Sequence, residues 1–230
     1  MNRQMRLLRL LTSLIVGFAL LGTVPVYADN NSPVSYVDVL IDVGHGGIDG
    51  GTGHGELLEK QINLAIGKKL YNQLRRTGIC VALNRNHDYA PSDDNQWLNS
   101  RSRHLRDLAQ RKLIVDMLKP KLTVSLHANW AKQSSVRGPG VLYQSNQPSF
   151  IASRLIASKL NQLYGTQTLP YSGKTFYLLS RSQTPAVIVE TGFMSNADDR
   201  RMLTEEAGQK QITEAIASAV LEYLLVFHME

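Results

Sequence analysis

The sequence predicts an α/β fold: a single domain on a mostly parallel, twisted sheet of about six strands, with helices on both faces. Three observations predict it. Short apolar runs rich in β-branched residues recur along the 230 residues, each bounded by turn or helix signals. Between them lie longer stretches with apolar residues at helical spacing, an alternation that produces a parallel sheet covered on both sides. Three of the runs also deliver a histidine or glutamate at their carboxyl end, where an open α/β sheet forms its ligand crevice. Val37 to Gly44 leads into His45, Leu122 to Leu126 into His127, and Ala186 to Val189 into Glu190.

The amino-terminal segment reads as a targeting signal, not as fold. Arg3, Arg6 and Arg9 form a basic region, Leu10 to Gly22 an apolar core, and Val26-Tyr27-Ala28 a small-residue cleavage site. The stretch to Val26 is also nearly long enough for an uncleaved anchor. The helix breakers Gly22 and Pro25 just before Ala28 favour cleavage. Residues 1–28 are therefore expected to be a signal peptide (the alternative being an N-terminal anchor), residues 29–35 a polar tether with Pro33, and residues 36–230 the folded domain. That domain is expected to be exported across the cytoplasmic membrane.

The domain's elements follow in order. After the first strand, Gly44 to Gly55 is dense in glycine, letting the backbone turn sharply around a bound group. A helix is expected from about Glu59, with Ile62, Ile66, Leu70 and Leu74 on one face and Gly78 as its stop. Ile79 to Leu83 reads as a strand, and its Cys80 as a buried, inert thiol. Asn86 to Arg106 is a long polar connection, of a length that is usually functional or mobile. Asp107 with Gln110 reads as a capping box for a helix that ends before Pro120. Gly140 to Tyr143 is the next strand after His127, followed by a helix with Ile151, Leu155, Leu160 and Leu163 inward. A loop from Gly165 to Lys174, a short strand Thr175 to Leu179, and the strand into Glu190 come next. The last helix carries Ile212, Ile216, Val220 and Leu224 on one face.

Charge argues against one class of partner. Processing after Ala28 would remove three arginines and no acids, lowering the formal charge from +6 to +3. That excess is too mild for nucleic acid, and no Lys/Arg stripe interleaved with aromatics occurs. Cys80 is the sole cysteine, so no internal disulfide can form.

The residue types at the strand ends point to a metal hydrolase. A catalytic zinc takes three protein ligands from histidines and carboxylates and keeps a fourth position open. His45 and His127 are two candidates. Glu56 and Glu59 both stand between the glycine loop and the helix, and the residues alone do not separate them as the third. No H-E-x-x-H motif and no phosphate-binding glycine motif is present, so the fold must assemble the site. Glu190, at a strand end before Thr191-Gly192, is placed to move a proton from water to a leaving amine without ligating the metal. Each residue alone has a plainer reading: a hydrogen-bonded structural histidine, or a first-turn acid on the helix dipole for Glu59. Together the plain readings need several coincidences. His54, His87, His104 and His228 read as exposed loop or terminal residues without a role.

The blocks LIDVGHGGIDGG…LLEKQINLA, VALNRNHD, LTVSLHAN and TPAVIVETGFMSN resemble, in that order, the zinc-dependent N-acetylmuramoyl-L-alanine amidases of the Amidase_3 type. The resemblance runs from about Val37 to the C-terminus. It implies that His45, Glu59 and His127 are the Zn2+ ligands, that Glu190 is the catalytic carboxylate, and that Glu59 is preferred to Glu56. It implies cleavage of the amide between the lactyl group of N-acetylmuramic acid and L-alanine, with peptidoglycan (glycan strand and stem peptide) as the partner and residues 36–230 as the amidase catalytic domain. A regulatory protein partner is left open. The compact form and the stretch NSRSRHLRDLAQR are similar to the family's sporulation amidases, which implies a place in spore-cortex maturation through muramic-δ-lactam. Arg101, Arg103 and Arg106 could meet stem-peptide carboxylates or form a solvated face. Val43 stands where the family usually has proline.

Overall fold

The computed structural model describes residues 37–228; the expected signal peptide and tether lie outside them. Six strands form the main sheet: β1 (Val39–Val43), β4 (Val81–Leu83), β5 (Leu122–Asn129), β6 (Gly140–Tyr143), β7 (Tyr171–Ser172) and β8 (Ala186–Phe193). Their order is β4-β1-β5-β8-β6-β7, and β2 (Gly53–His54) with β3 (Leu57–Leu58) makes a separate antiparallel ribbon. β4, β1, β5 and β8 run parallel, while β6 pairs antiparallel with β8. The helices are α1 (Glu59–Arg75), α2 (Arg103–Leu118), α3 (Gln147–Tyr164), α4 (Tyr177–Arg181), α5 (Ala197–Thr204) and α6 (Glu206–His228). Six strands, mostly parallel, with helices on both faces is the architecture the alternating pattern predicts.

Because strand side chains alternate between faces, each central strand divides its residues. Val39, Ile41 and Val43 of β1, Leu122, Val124 and Leu126 of β5, and Val187 and Val189 of β8 enter one large core. Ile62, Ile66, Leu70 and Leu74 of α1, Ala152, Ile156 and Leu160 of α3, and Ile212, Ile216 and Val220 of α6 close over it. Each such aliphatic side chain contributes roughly 1.5–3 kcal/mol on burial. Leu40 and Ile188 point to the opposite face, where two small clusters pack them with Val115 of α2 and with Leu178 and Leu179 of α4. His127 and Glu190 belong to that second face by the same parity.

Several expectations are corrected. α2 starts at Arg103, with the Ser102 hydroxyl accepting from Leu105 N as its cap. Asp107 is no cap but a buried residue inside the helix, paired with Arg111 and accepting from Ser92 N. Thr175 to Leu179 is not a strand: α4 buries the adjacent Leu178 and Leu179 with a single helical turn, an apolar pair that periodicity cannot tell from a strand. The sixth strand is β7, within the segment expected to be loop. Cys80 is exposed, not buried, because it precedes β4, a half-covered edge strand. On α3 the buried stripe is Ala152, Ile156 and Leu160, with Ile151, Leu155 and Leu163 only partly covered at its margins. Asn86 to Arg106 contains a 3-10 turn (Pro91–Asp93) and is tied down: Asn95 Nδ2 donates to Arg106 O at 3.0 Å, and Tyr89 OH to Asn84 O at 3.0 Å.

Candidate metal centre

β1, β5 and β8 are neighbours and parallel, so their carboxyl ends open on one crevice. His45 lies two residues beyond β1. His127 and Glu190 sit within longer strands than expected and face each other in register. The fourth side chain comes from a different element. Glu59 is the first residue of α1, where the helix dipole favours a carboxylate. The β2–β3 ribbon returns the chain so that α1 begins beside the glycine loop, with Glu59 N donating to Thr52 O at 2.9 Å. Glu56, the other glutamate of that stretch, is exposed in the ribbon's turn.

The structure brings His45, Glu59 and His127 together: one ligand atom from each lies within 4.8 Å of the others. Glu59 Oε2 is 3.1 Å from His45 Nε2, and Glu59 Oε1 is 3.0 Å from His127 Nδ1. The carboxylate also accepts from Thr52 N (2.9 Å), Ala128 N (3.1 Å) and Asn63 Nδ2 (3.2 Å). Burial pushes the Glu59 carboxyl up, but these two histidines outweigh it and hold it far below the usual range. Burial also works against charge on His45, and Glu59 with Asp49 reverses the sign, raising its pKa. His45 Nδ1 is buried and makes no well-aligned hydrogen bond, although Asp49 Oδ2 lies 3.1 Å away. Two imidazoles and an ionised carboxylate converging on one point form a donor set that fits zinc.

Glu190 stands beside this cluster without joining it. Burial pushes its carboxyl up; His127 counteracts this and the Glu59 charge adds to it, for a net rise. Among the described residues its carboxylate makes no hydrogen bond, while its backbone lies in the ladder between β5 and β6. Gly140 lies opposite it in register. A Cβ at Gly140 would sit 3.5 Å from Glu190 Cβ and 3.8 Å from the Tyr171 hydroxyl, in ordinary van der Waals contact with both, so Gly140, Glu190 and Tyr171 line one wall. Tyr171 is 49% exposed, and its pKa is raised by burial and by the Glu190 charge. Sequence reasoning missed it because β7 lay in a presumed loop.

The glycine loop leaves no space at its contacts with the site. A Cβ on Gly44 would sit 2.5 Å from His127 Cε1, and one on Gly51 would sit 2.5 Å from Glu59 Oε2. Gly46 and Asp49 exchange backbone hydrogen bonds at 2.9 and 3.0 Å. Lys60 Nζ closes the turn from outside, donating to Gly47 O and Asp88 Oδ2 at 2.7 Å each, while Gly47 N donates to Asp88 Oδ1 at 2.8 Å. His45 itself has φ 58, the left-handed region, which costs a non-glycine residue of order 1–3 kcal/mol.

Beneath the loop lies a buried polar network that sequence reasoning also missed. Asp42 accepts from Arg111 Nη1 (2.7 Å), Ser125 Oγ (2.5 Å) and Asn84 Nδ2 (2.5 Å). Burial raises its carboxyl, but Arg111 and then Ser125 outweigh that, leaving the pKa below the ordinary value. Arg111 Nε also donates to Asp107 Oδ2 at 2.6 Å. Asn84 Oδ1 takes Val43 N at 2.8 Å, a donor that a proline at position 43 would lack. An aspartate inside an apolar strand, and an Asp-Arg pair four apart on a helix, were the visible signals. Of Arg101, Arg103 and Arg106, the last two of which lie in the first turn of α2, Arg103 approaches the site, its Nη2 3.8 Å from Asp49 Oδ2. Arg106 is occupied with Ser100 O, and Arg101 is exposed.

A profile of the family described as N-acetylmuramoyl-L-alanine amidase matches residues 39–222. The N-acetylmuramoyl-L-alanine amidase LytC of Bacillus subtilis (strain 168) is 28% identical over 214 residues, 90% of this chain but 40% of LytC, so the chain spans less than half of that relative. The germination-specific N-acetylmuramoyl-L-alanine amidase of the same organism is 25% identical over 221 residues, covering 92% of this chain and 93% of the relative. Among solved structures, the CwlD amidase from Clostridioides difficile, in complex with the GerS lipoprotein, is 30% identical with a TM-score of 0.76. That match covers 82% of this chain and 98% of CwlD.

Proposed function

The chain belongs to the N-acetylmuramoyl-L-alanine amidase family, and on that premise we propose that residues 36–230 form an exported, zinc-dependent catalytic domain acting on peptidoglycan. The bond cleaved is the amide joining the lactyl group of N-acetylmuramic acid to the L-alanine of the stem peptide. One observation carries the zinc assignment: donor atoms of His45, Glu59 and His127 within 4.8 Å of one another at the mouth of parallel strands.

The division of labour follows from the side chains. His45, Glu59 and His127 would hold the ion. A bound zinc would polarise the scissile carbonyl and acidify a water. Glu190 takes the proton released by the attacking water and delivers it to the leaving nitrogen of L-alanine. Its raised pKa suits that task, since a carboxyl that holds a proton more readily can also pass it on.

A place in spore-cortex maturation is supported by the germination-specific relative and by the CwlD structure, and that structure's GerS lipoprotein also supports a protein partner for this chain. The basic, apolar and small-residue pattern of residues 1–28 supports a cleaved signal peptide. The test is to measure bound zinc and product masses together on defined muropeptides. A free lactyl carboxylate on the sugar is expected. A shortened stem with its first alanine still attached to the sugar would make the enzyme a peptidase instead.

A further inference from the structure

We infer, on the zinc reading above, that Arg85 and Arg111 are positioning residues that set the backbone of His45 and its distance from Glu59 before any metal arrives. Three successive carbonyls, those of Val43, Gly44 and His45, are all taken by guanidinium N–H groups. Arg111 donates from Nη1 to Val43 O at 2.7 Å and from Nη2 to His45 O at 2.9 Å. Arg85 donates from Nε to Val43 O at 3.2 Å and from Nη2 to Gly44 O at 3.0 Å. The left-handed turn at His45 is thus held from its own carbonyl and from the two before it.

The same Arg85 Nη2 also donates to Lys60 O at 3.0 Å. One nitrogen therefore ties the residue before His45 to the residue after Glu59. Asn63 repeats the tie on a smaller scale, its Nδ2 reaching Gly44 O (3.3 Å) and Glu59 Oε1 (3.2 Å). Both contacts couple the backbone beside one proposed ligand to the element that carries the other.

Both guanidinium groups are buried, Arg85 at 2% and Arg111 at 5% exposure. Arg111 is anchored by Asp42 and Asp107. Arg85 makes no hydrogen bond or ion pair with a carboxylate; its partners are carbonyls, the fourth being His87 O at 3.1 Å. Burial accordingly pulls its pKa down to about 10. A buried cation satisfied by carbonyls alone is a costly way to gain stability. It is a sensible way to fix several carbonyls at once, since a planar fork of five donors does what an ammonium cannot.

Zinc affinity is measured by competition with a chromophoric chelator for the wild type, Arg85→Lys and Arg111→Lys, together with thermal unfolding of the zinc-free forms. Both lysine variants keep the charge and lose the fork. Each is expected to bind zinc about 10–100-fold more weakly, with kcat largely restored at saturating zinc; for Arg85→Lys, which breaks no ion pair, zinc-free melting should change far less than affinity. In parallel, amide hydrogen exchange of residues 44–47 in the wild type, with and without zinc, reads the preset geometry without any variant. Protection already present in the zinc-free protein is expected. Lysine variants that bind zinc like the wild type, or a 44–47 segment protected only after loading, would overturn the inference. Failure of the wild type to bind zinc at all would instead overturn the zinc reading.

Discussion

The two faces of the sheet are built from the same strands and do opposite work. Under α1, α3 and α6 the central strands turn Val39, Ile41, Val43, Leu122, Val124, Leu126, Val187 and Val189 inward, and the apolar core is continuous. Across the sheet the same strands present Asp42, Thr123, Ser125, His127 and Glu190, with apolar packing reduced to two small clusters. One face therefore carries the stability that lets the other hold buried charge, a division that alternation along a strand makes available at every second residue.

That contrast can be broken in stages. The largest effect is expected from Glu59→Gln, which removes the carboxylate shared by both histidines: bound zinc and turnover should both vanish, as measured by metal analysis and muropeptide release. Glu190→Gln should keep zinc and melting temperature while kcat falls about 10²–10⁴-fold, the usual contribution of a positioned proton carrier. A variant that turned over normally would leave Glu190 without its assigned role. On the other face, Ile216→Ala should cost about 2–5 kcal/mol in denaturant unfolding and leave turnover per folded molecule unchanged.

Acid should expose the cost of the polar face. Asp42 is depressed below its ordinary 3.8, so its contribution is present in full above that value and is lost as pH falls through the lower folded pKa. Asp42→Asn should flatten this part of the acid limb in unfolding curves recorded from pH 5 downward. For activity the sign follows from the role: Glu190 must be ionised to take the proton, so kcat/KM should fall on acidification and Glu190→Gln should abolish that limb of the pH–rate profile. The smallest effect is expected from Glu56→Gln, which should change neither zinc affinity nor rate.

Much of the apolar face was legible because its period is unambiguous. Ile62 to Leu74 and Ile212 to Leu224 read as helical stripes and are buried as such. The strand-end residues were legible because a charged or aromatic-nitrogen group closing an apolar run is conspicuous. The long-range part of the buried polar network escaped because its partners are far away in the chain. Arg111 and Asp42 are 69 residues apart, and Arg85 and Gly44 are 41 apart. No local pattern marks such pairs. Short elements failed for another reason. The two-residue β7 and the one-turn α4 are too brief for any period to show, and their nature is set by packing against β6 and the sheet.

Surface loops are usually where a protein tolerates sequence drift. The turn between β1 and β2 inverts that rule. At Gly44 and Gly51 even a methyl group would collide with an imidazole or a carboxylate, and at Gly46 it would come within 2.2 Å of the Tyr89 carbonyl. Random mutagenesis should therefore find the helix exteriors forgiving and these turn positions closed to every other amino acid. Anyone seeking to retune the surroundings of the proposed zinc site would have to redesign the neighbouring strand ends first.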